Sequence, residues 1–501
     1  MNAASEWITR SVARLRTEAP IADLDAAGAA GGGRPPAAAA PAPAPAPAPA
    51  KAPPPRSTSE RMAATLRRAN EALSPRALRR LLADLQAVAA PQASEVEGGR
   101  QAEAVAAWYA EAKPEERRDM WLLMCEQFAP DATRFKSAQK RYEAAAGTED
   151  EAHAEVHLRR ALVSPRTRLL QRFAVFPQGM RFLVDLRAEL LPQLKGDKRL
   201  LPLDAELEQL FSTWFDVAFL ELQRLSWDSP ASLLEKLIKY EAVHDIRSWA
   251  DLKNRLDSDR RCYGFFHPRL PNEPLIFVEV ALVNEISDSI TPLLDEDGAA
   301  VDIARANTAI FYSISNTQTG LRGVSFGDSL IKHVVETLSA EFPRLRTFAT
   351  LSPIPGFRAW FGKHCAGMLE AMDDKRRTEL GRAIGAEAPQ AAQVIAAAEK
   401  ALELPVKSPL RQWLLHCAAR YLGRELQDGR PVDGVARFHL GNGARVERLN
   451  WAGDPSSKGQ KQSFGLMVNY LYDLKRIDKH RALLAQGRVP VSGDIDSLAR
   501  G

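Results

Sequence analysis

Leucines at positions 78, 81, 82 and 85 recur at i, i+3, i+4 and i+7, a spacing that places all four on one stripe of a helix. The same texture continues from residue 57 to residue 250. Ser74-Pro75, Ser164-Pro165 and Ser229-Pro230 read as helix starts, each with a capping hydroxyl ahead of a proline suited to the first turn. Trp121, Leu122, Met124, Phe128 and the apolar run 211–220 supply buried faces. No alternating pattern interrupts the region, so the expectation is an all-α bundle.

Beyond Arg260 the period changes. Segments 275–283 (LIFVEVALV) and 308–314 (TAIFYSI) are rich in β-branched and aromatic residues and predict strands. Residues 327–341 return to a helical pattern, with Leu330, Ile331, Val334, Val335 and Leu338 on one face. A strand is expected at 347–351, and a helical insertion over 358–430 with another Ser-Pro start at Ser408-Pro409. Segments 435–440 and 444–451 flank Asn442-Gly443 and predict a hairpin, with a last strand at 466–472. The fold class is therefore α+β multidomain, a helical bundle followed by a mixed α/β domain with a helical insertion. The expected divisions are 1–56 (N-terminus and linker), 57–250 (helical), 251–492 (mixed α/β) and 493–501 (tail).

Composition adjusts this picture in a few places. Residues 26–55 alternate Ala and Pro after a glycine run, a tract with almost nothing to bury, and read as a linker. A net charge of +4 over 501 residues gives no sign of a nucleic-acid partner. The cysteines Cys125, Cys262, Cys365 and Cys417 lack metal-ligand spacing, so no metal is expected, and they suit a reducing compartment. No run of apolar residues is long enough to span a membrane. Residues 1–15 can form a basic amphipathic helix like a mitochondrial presequence, but Glu6 and Glu18 oppose that reading; the expected location is cytoplasmic rather than the mitochondrial matrix.

The candidate chemistry centres on residues 311–338, which read as strand, glycine-rich loop and helix. The loop Arg322-Gly323-Val324-Ser325-Phe326-Gly327-Asp328 offers a cation and flexible backbone at a helix start, which suits a pyrophosphate. It resembles the acyl-CoA loop of the GNAT acyltransferase fold. The same letters contain G-x-S-x-G, the nucleophile elbow of hydrolases. Four residues separate Ser325's motif from the strand, and no series of parallel strands accompanies it, so the elbow is disfavoured.

Five ordered blocks carry a more specific resemblance. They are LSWDSPASLLEKLIKYEAVHDI from Leu225, RRCYGFFHPRLPNEPLIFVEVAL from Arg260, FYSISNTQTGLRG from Phe311, LSPIPGF from Leu351, and FHLGNGARVERLNW from Phe438 with GLMVNY after it. Together they resemble the malonyl-CoA decarboxylase family over residues 60–490. The resemblance implies a GNAT-like catalytic core, conversion of malonyl-CoA to acetyl-CoA and CO2 without a cofactor, and a homo-oligomer (dimer or tetramer) assembled through the helical domain. It also implies a catalytic pair, Ser352 and His439, and substrate binding by Arg322, Gly323, Val324, Ser325, Phe326, Gly327 and Asp328 together with the pair. Read without the family, Ser352 is a turn residue and His439 a core histidine on a strand. His267, Asn316, Gln318, Asn469 and Tyr470 are weaker pocket candidates. The competing readings are a GNAT-type acyltransferase and a non-enzymatic CoA sensor.

Overall fold

The computed structural model describes residues 72–324 and 330–500. Residues 1–71, with the Ala/Pro tract, and Ser325, Phe326, Gly327 and Asp328 of the loop fall outside the described residues.

The described chain begins with helices, from Pro75–Val88 to Leu201–Trp214. Leu78, Leu81, Leu82 and Leu85 are all buried, and Ser74 caps its helix by accepting the Ala77 N–H at 3.3 Å. The other Ser-Pro pairs depart from the expected capping. Ser164 commits its hydroxyl to Glu206, Ser408 makes no side-chain cap bond, and Ser229 accepts from the Ser226 N–H. Their helices still begin at Pro165, Pro409 and Ala231. Proline's fixed φ and missing N–H suit the first turn whether or not a hydroxyl caps it.

Ten strands follow: β1 (Glu221–Leu225), β2 (Arg260–Phe266), β3 (Pro274–Val283), β4 (Thr308–Asn316), β5 (Thr347–Thr350), β6 (Ser352–Pro353), β7 (Leu426–Gln427), β8 (Arg430–Pro431), β9 (Arg445–Asn450) and β10 (Met467–Leu471). The main sheet runs β1-β2-β3-β4-β5-β10-β6, with β9 on β10, while β7 and β8 form a separate ribbon. Among the described strand pairs, only β4–β5 is parallel. β2 and nearly all of β3 are buried, because helices cover both faces of this part of the sheet. Glu279, the one charge in that apolar strand, is met by Arg255 at 3.1 Å, and burial followed by the nearby Glu241 pushes its carboxyl up to about 8.

Three expectations are corrected. The region 57–250 is not free of strands, since β1 pairs with β2 from Glu221↔Phe266 to Leu225↔Cys262. Its sequence, ELQRL, buries only Leu225, so the partner strand rather than local pattern makes it a strand. Segment 435–440 is not a strand but part of the helix Gly434–Gly441. Asp433 accepts the N–H groups of Val435 and Ala436 and starts that helix, and Gly443, at φ +86°, ends it instead of forming a hairpin turn. Finally, the supposed tail contains a helix, Gly493–Arg500. It buries Ile495, and its Leu498 carbonyl lies 2.7 Å from His416 Nδ1.

The helical region reaches directly into the strand–loop–helix segment. Arg187, buried, donates to the carbonyls of Gly320 (2.8 Å) and Arg322 (2.9 Å) and pairs with Asp204. A side chain at Gly320 would meet the Val184 carbonyl at 1.9 Å, so only glycine allows this approach. The start of the loop is thus clamped from the helical side.

Candidate functional site

A cavity of about 290 Å³ opens between β4, β6 and the His439 helix. Its shape begins with a bulge in β4. Glu279 pairs with Ser313 and Val280 with Phe311, so Tyr312 has no opposite residue. Phe311 and Tyr312, successive in sequence, therefore both line the cavity, followed by Ile314 and Asn316. Ser313 and Ser315 turn the other way and donate to Glu241, whose carboxylate also accepts from the N–H groups of Val243 and His244. That knot sets Val243 into the cavity wall.

Between Ala349 and Ser352 the ladder to β10 is interrupted, and side chains close the gap. Asn469 donates to the Thr350 carbonyl at 2.7 Å, and Thr350 Oγ1 accepts the Tyr470 N–H at 3.1 Å. Ser352 leaves this gap with its Oγ 2.8 Å from Thr350 Oγ1 and 3.2 Å from His439 Nε2. Residues 87 apart in sequence are thereby brought together.

His439 lies in the last turn of its helix, is buried, and stacks on Tyr470 at 4.7 Å between ring centroids. Its Nδ1 is 2.8 Å from the Tyr472 hydroxyl. Among the described residues that nitrogen is the phenol's hydrogen-bond partner, so the phenol donates and the ring's own proton sits on Nε2, facing Ser352. Burial lowers the imidazole pKa to about 3, and it pushes the Tyr472 hydroxyl far above its ordinary value. The free pair is therefore neutral.

The rest of the wall decides what such a pair can do. Val243, Ile276, Phe311, Ile314, Val324, Pro353, Val435 and Phe438 are apolar, and no Asp, Glu, Lys or Arg lines the cavity among the described residues. A carboxylate entering it would lose most of its water. Val324 makes the loop part of this wall, and Arg322, two residues earlier in the chain, is exposed. An anionic ligand can thus hold its charged end outside while its reactive end goes in.

The family models match in the same order as the architecture. The malonyl-CoA decarboxylase N-terminal domain matches residues 128–215, and the C-terminal domain residues 218–501. The chain belongs to the malonyl-CoA decarboxylase family. Mitochondrial malonyl-CoA decarboxylase of Rattus norvegicus is 38% identical over 336 residues, covering 64% of this chain and 68% of the rat protein. That of Anser anser anser is 37% identical over 330 residues, 63% and 66% of the two chains. Crystal structures of malonyl-CoA decarboxylases from Rhodopseudomonas palustris (39% identity, TM-score 0.71) and Cupriavidus metallidurans (42%, 0.68) each cover 84% of this chain, and 99% and 100% of their own. The two family models part at residues 215 and 218, just before β1, whereas the sequence pattern alone put the change at 250.

Within this family frame the remaining candidates separate. Asn316 lines the cavity and Tyr470 stacks on the histidine, while Asn469 bridges strands. Gln318 bonds Arg181 and the Pro274 carbonyl, and His267 accepts the Arg269 N–H within its own turn; both build structure. Thr350 and Tyr472 were not anticipated. Each lies two residues from a residue that was, Ser352 and Tyr470, and strand periodicity carried the signal that i and i+2 share a face.

Proposed function

We propose that this chain decarboxylates malonyl-CoA to acetyl-CoA and CO2, with Ser352 and His439 as the reacting pair. The observation that carries the reading is a cavity, apolar but for Tyr312, Asn316, Ser352 and His439, whose wall includes Val324 of the loop that bears Arg322. The pyrophosphate of CoA lies against Arg322 and the backbone of Gly323 to Asp328, and the malonyl group enters the cavity. Stripped of water, the carboxylate is destabilised relative to neutral CO2. As the C–C bond breaks, its electron pair passes into the thioester as an enolate, and C2 then takes a proton. The anionic substrate beside His439 favours the imidazolium, so binding draws a proton from solvent onto a ring that is neutral when free. Tyr472 can donate to Nδ1 or accept from it and serves both states. The pair delivers the proton to C2, and His439 returns to neutrality.

Incubation with malonyl-CoA alone tests this. Acetyl-CoA and CO2 should form in equal amounts without any acyl acceptor. A requirement for an amine would point to an acyltransferase, and binding without turnover to a sensor. Release of malonate with free thiol, abolished by Ser325→Ala, would make the G-x-S-x-G stretch a nucleophile elbow and remove the decarboxylase reading.

Arg322→Glu should raise KM for malonyl-CoA at least tenfold and change kcat little, since it sets repulsion against the pyrophosphate and leaves the cavity intact. Steady-state kinetics reads the split; a loss confined to kcat would place Arg322 at the chemistry instead.

Self-association through the helical region belongs to the same reading. The helices Ala132–Ala145 and Glu151–Leu162 bury only Ala145, Ala154 and Ala161, leaving Val156, Leu162 and Val163 exposed. A second copy would cover this apolar edge. Leu162→Asp with Val163→Asp should lower the mass seen by light scattering, and an unchanged mass would remove this edge from the interface. A cytoplasmic location completes the proposal; the four buried cysteines without disulfides suit a reducing compartment. The rat and goose relatives carry "mitochondrial" in their names, so cell fractionation separates the two.

A further inference from the structure

We propose that a second cleft, formed by the helix Ile477–Ala485, the turn after it and the C-terminal helix Gly493–Arg500, binds a small polyanion. The ligand class is a compact molecule with two or more anionic groups and no aromatic base.

The cleft has a volume of about 620 Å³ and shares no residue with the catalytic cavity. Among the described residues six cationic side chains line it, Arg424, Arg445, Arg476, Lys479, Arg488 and Arg500, against a single side-chain carboxylate, Asp496. Asp496 is already divided between Arg424 and Arg500. Glu447 pairs with Arg445 at 2.6 Å and Asp473 with Arg476 at 3.5 Å, both from outside the cleft. Lys479 and Arg488 have no ion-pair partner among the described residues. Like charges converging in a concave space raise its potential and concentrate anions there.

Backbone adds to the charge. Gly493 lies on the cleft wall at the start of its helix, where first-turn N–H groups lack intrahelical acceptors. Ser492 Oγ takes only one of them, that of Ile495. The apolar part of the wall is Leu426, Leu483, Val489, Pro490 and Val491, with no Phe, Tyr or Trp among the described residues. Its one imidazole, His480, is buried and held at the Gly443 carbonyl rather than open to stack a base. That composition selects against nucleotides and for bisphosphates or tricarboxylates. The site also adjoins the catalytic helix: His480 Nδ1 is 3.0 Å from the Gly443 carbonyl, and the next residue, Ala444, donates its N–H to the His439 carbonyl at 3.1 Å.

The test uses the full chain with inorganic pyrophosphate or citrate, each against sodium chloride of equal ionic strength. Calorimetry should show saturable binding. Near a hundredfold excess over Kd, Tm should rise on the order of 3 °C. The double variant Lys479→Ala/Arg488→Ala, at two exposed positions, should lose at least tenfold in affinity while keeping its KM for malonyl-CoA. Binding of pyrophosphate alone assigns a phosphorylated ligand and binding of citrate alone a polycarboxylate; either supports the site. A shift no larger than the salt control, or equal in the variant, overturns it. So does competition with malonyl-CoA together with a raised KM in the variant, which would make the cleft part of the substrate site. Binding only to anionic vesicles would make it a membrane-facing patch and overturn it as well.

Discussion

His439→Asn should lower kcat for malonyl-CoA decarboxylation by roughly 10²–10⁴-fold, the range typical of a positioned proton-transfer group, while substrate still binds. Asparagine preserves much of the ring's size and can still meet the Tyr472 hydroxyl, so the fold should persist. It carries no exchangeable proton of suitable acidity for C2. The pH dependence sharpens the expectation. With the free imidazole held near 3 by burial, His439 is neutral throughout pH 5–9, and kcat/KM, which reports the free enzyme, should show no inflection from it in that range. An ordinary titration near 6.5 in wild type, absent from the variant, would contradict the buried neutral pair. Full turnover in the variant would remove His439 from the mechanism.

Ser352→Ala should cost kcat a comparable factor, again about 10²–10⁴-fold. The hydroxyl is the polar group between His439 Nε2 at 3.2 Å and Thr350 Oγ1 at 2.8 Å. Removing it breaks the route from the ring to the reacting carbon and takes away a donor from the cavity wall. Because the two residues act as one unit, the double variant should be little worse than either single one. Additive losses, measured by single-turnover formation of acetyl-CoA, would mean that Ser352 and His439 contribute separately. Unchanged turnover in Ser352→Ala would leave the serine as the turn residue its sequence context suggests.

Some of this was legible in the chain itself. The leucine stripe at 78–85 and the apolar runs at 275–283 and 308–314 fixed their own structure, because long periodic or strongly β-prone segments allow few alternatives. The glycines and arginine of 322–328 supplied the anion-site reading that the proposed function uses. Ser352 and His439 were named only by resemblance to a family; their own neighbours described a turn and a core histidine.

Tertiary structure decided the rest. Eight residues around His439 fit a strand as well as a helix, and the cap at Asp433 with the left-handed exit at Gly443 chose the helix. That choice places His439 Nε2 toward Ser352. β1 is a strand because β2 offers it a ladder. Thr350 and Tyr472 gain their roles only once β5, β6 and β10 lie side by side, and the neutral state of His439 comes from burial that no local pattern records. The basic cleft draws on positions 424, 445 and 476–500, charges that look like ordinary solvated residues until the last two helices bring them together. Periodicity governs what a segment can form alone; the chemistry here arises between segments, where distance, desolvation and hydrogen-bond partners are set by the whole fold.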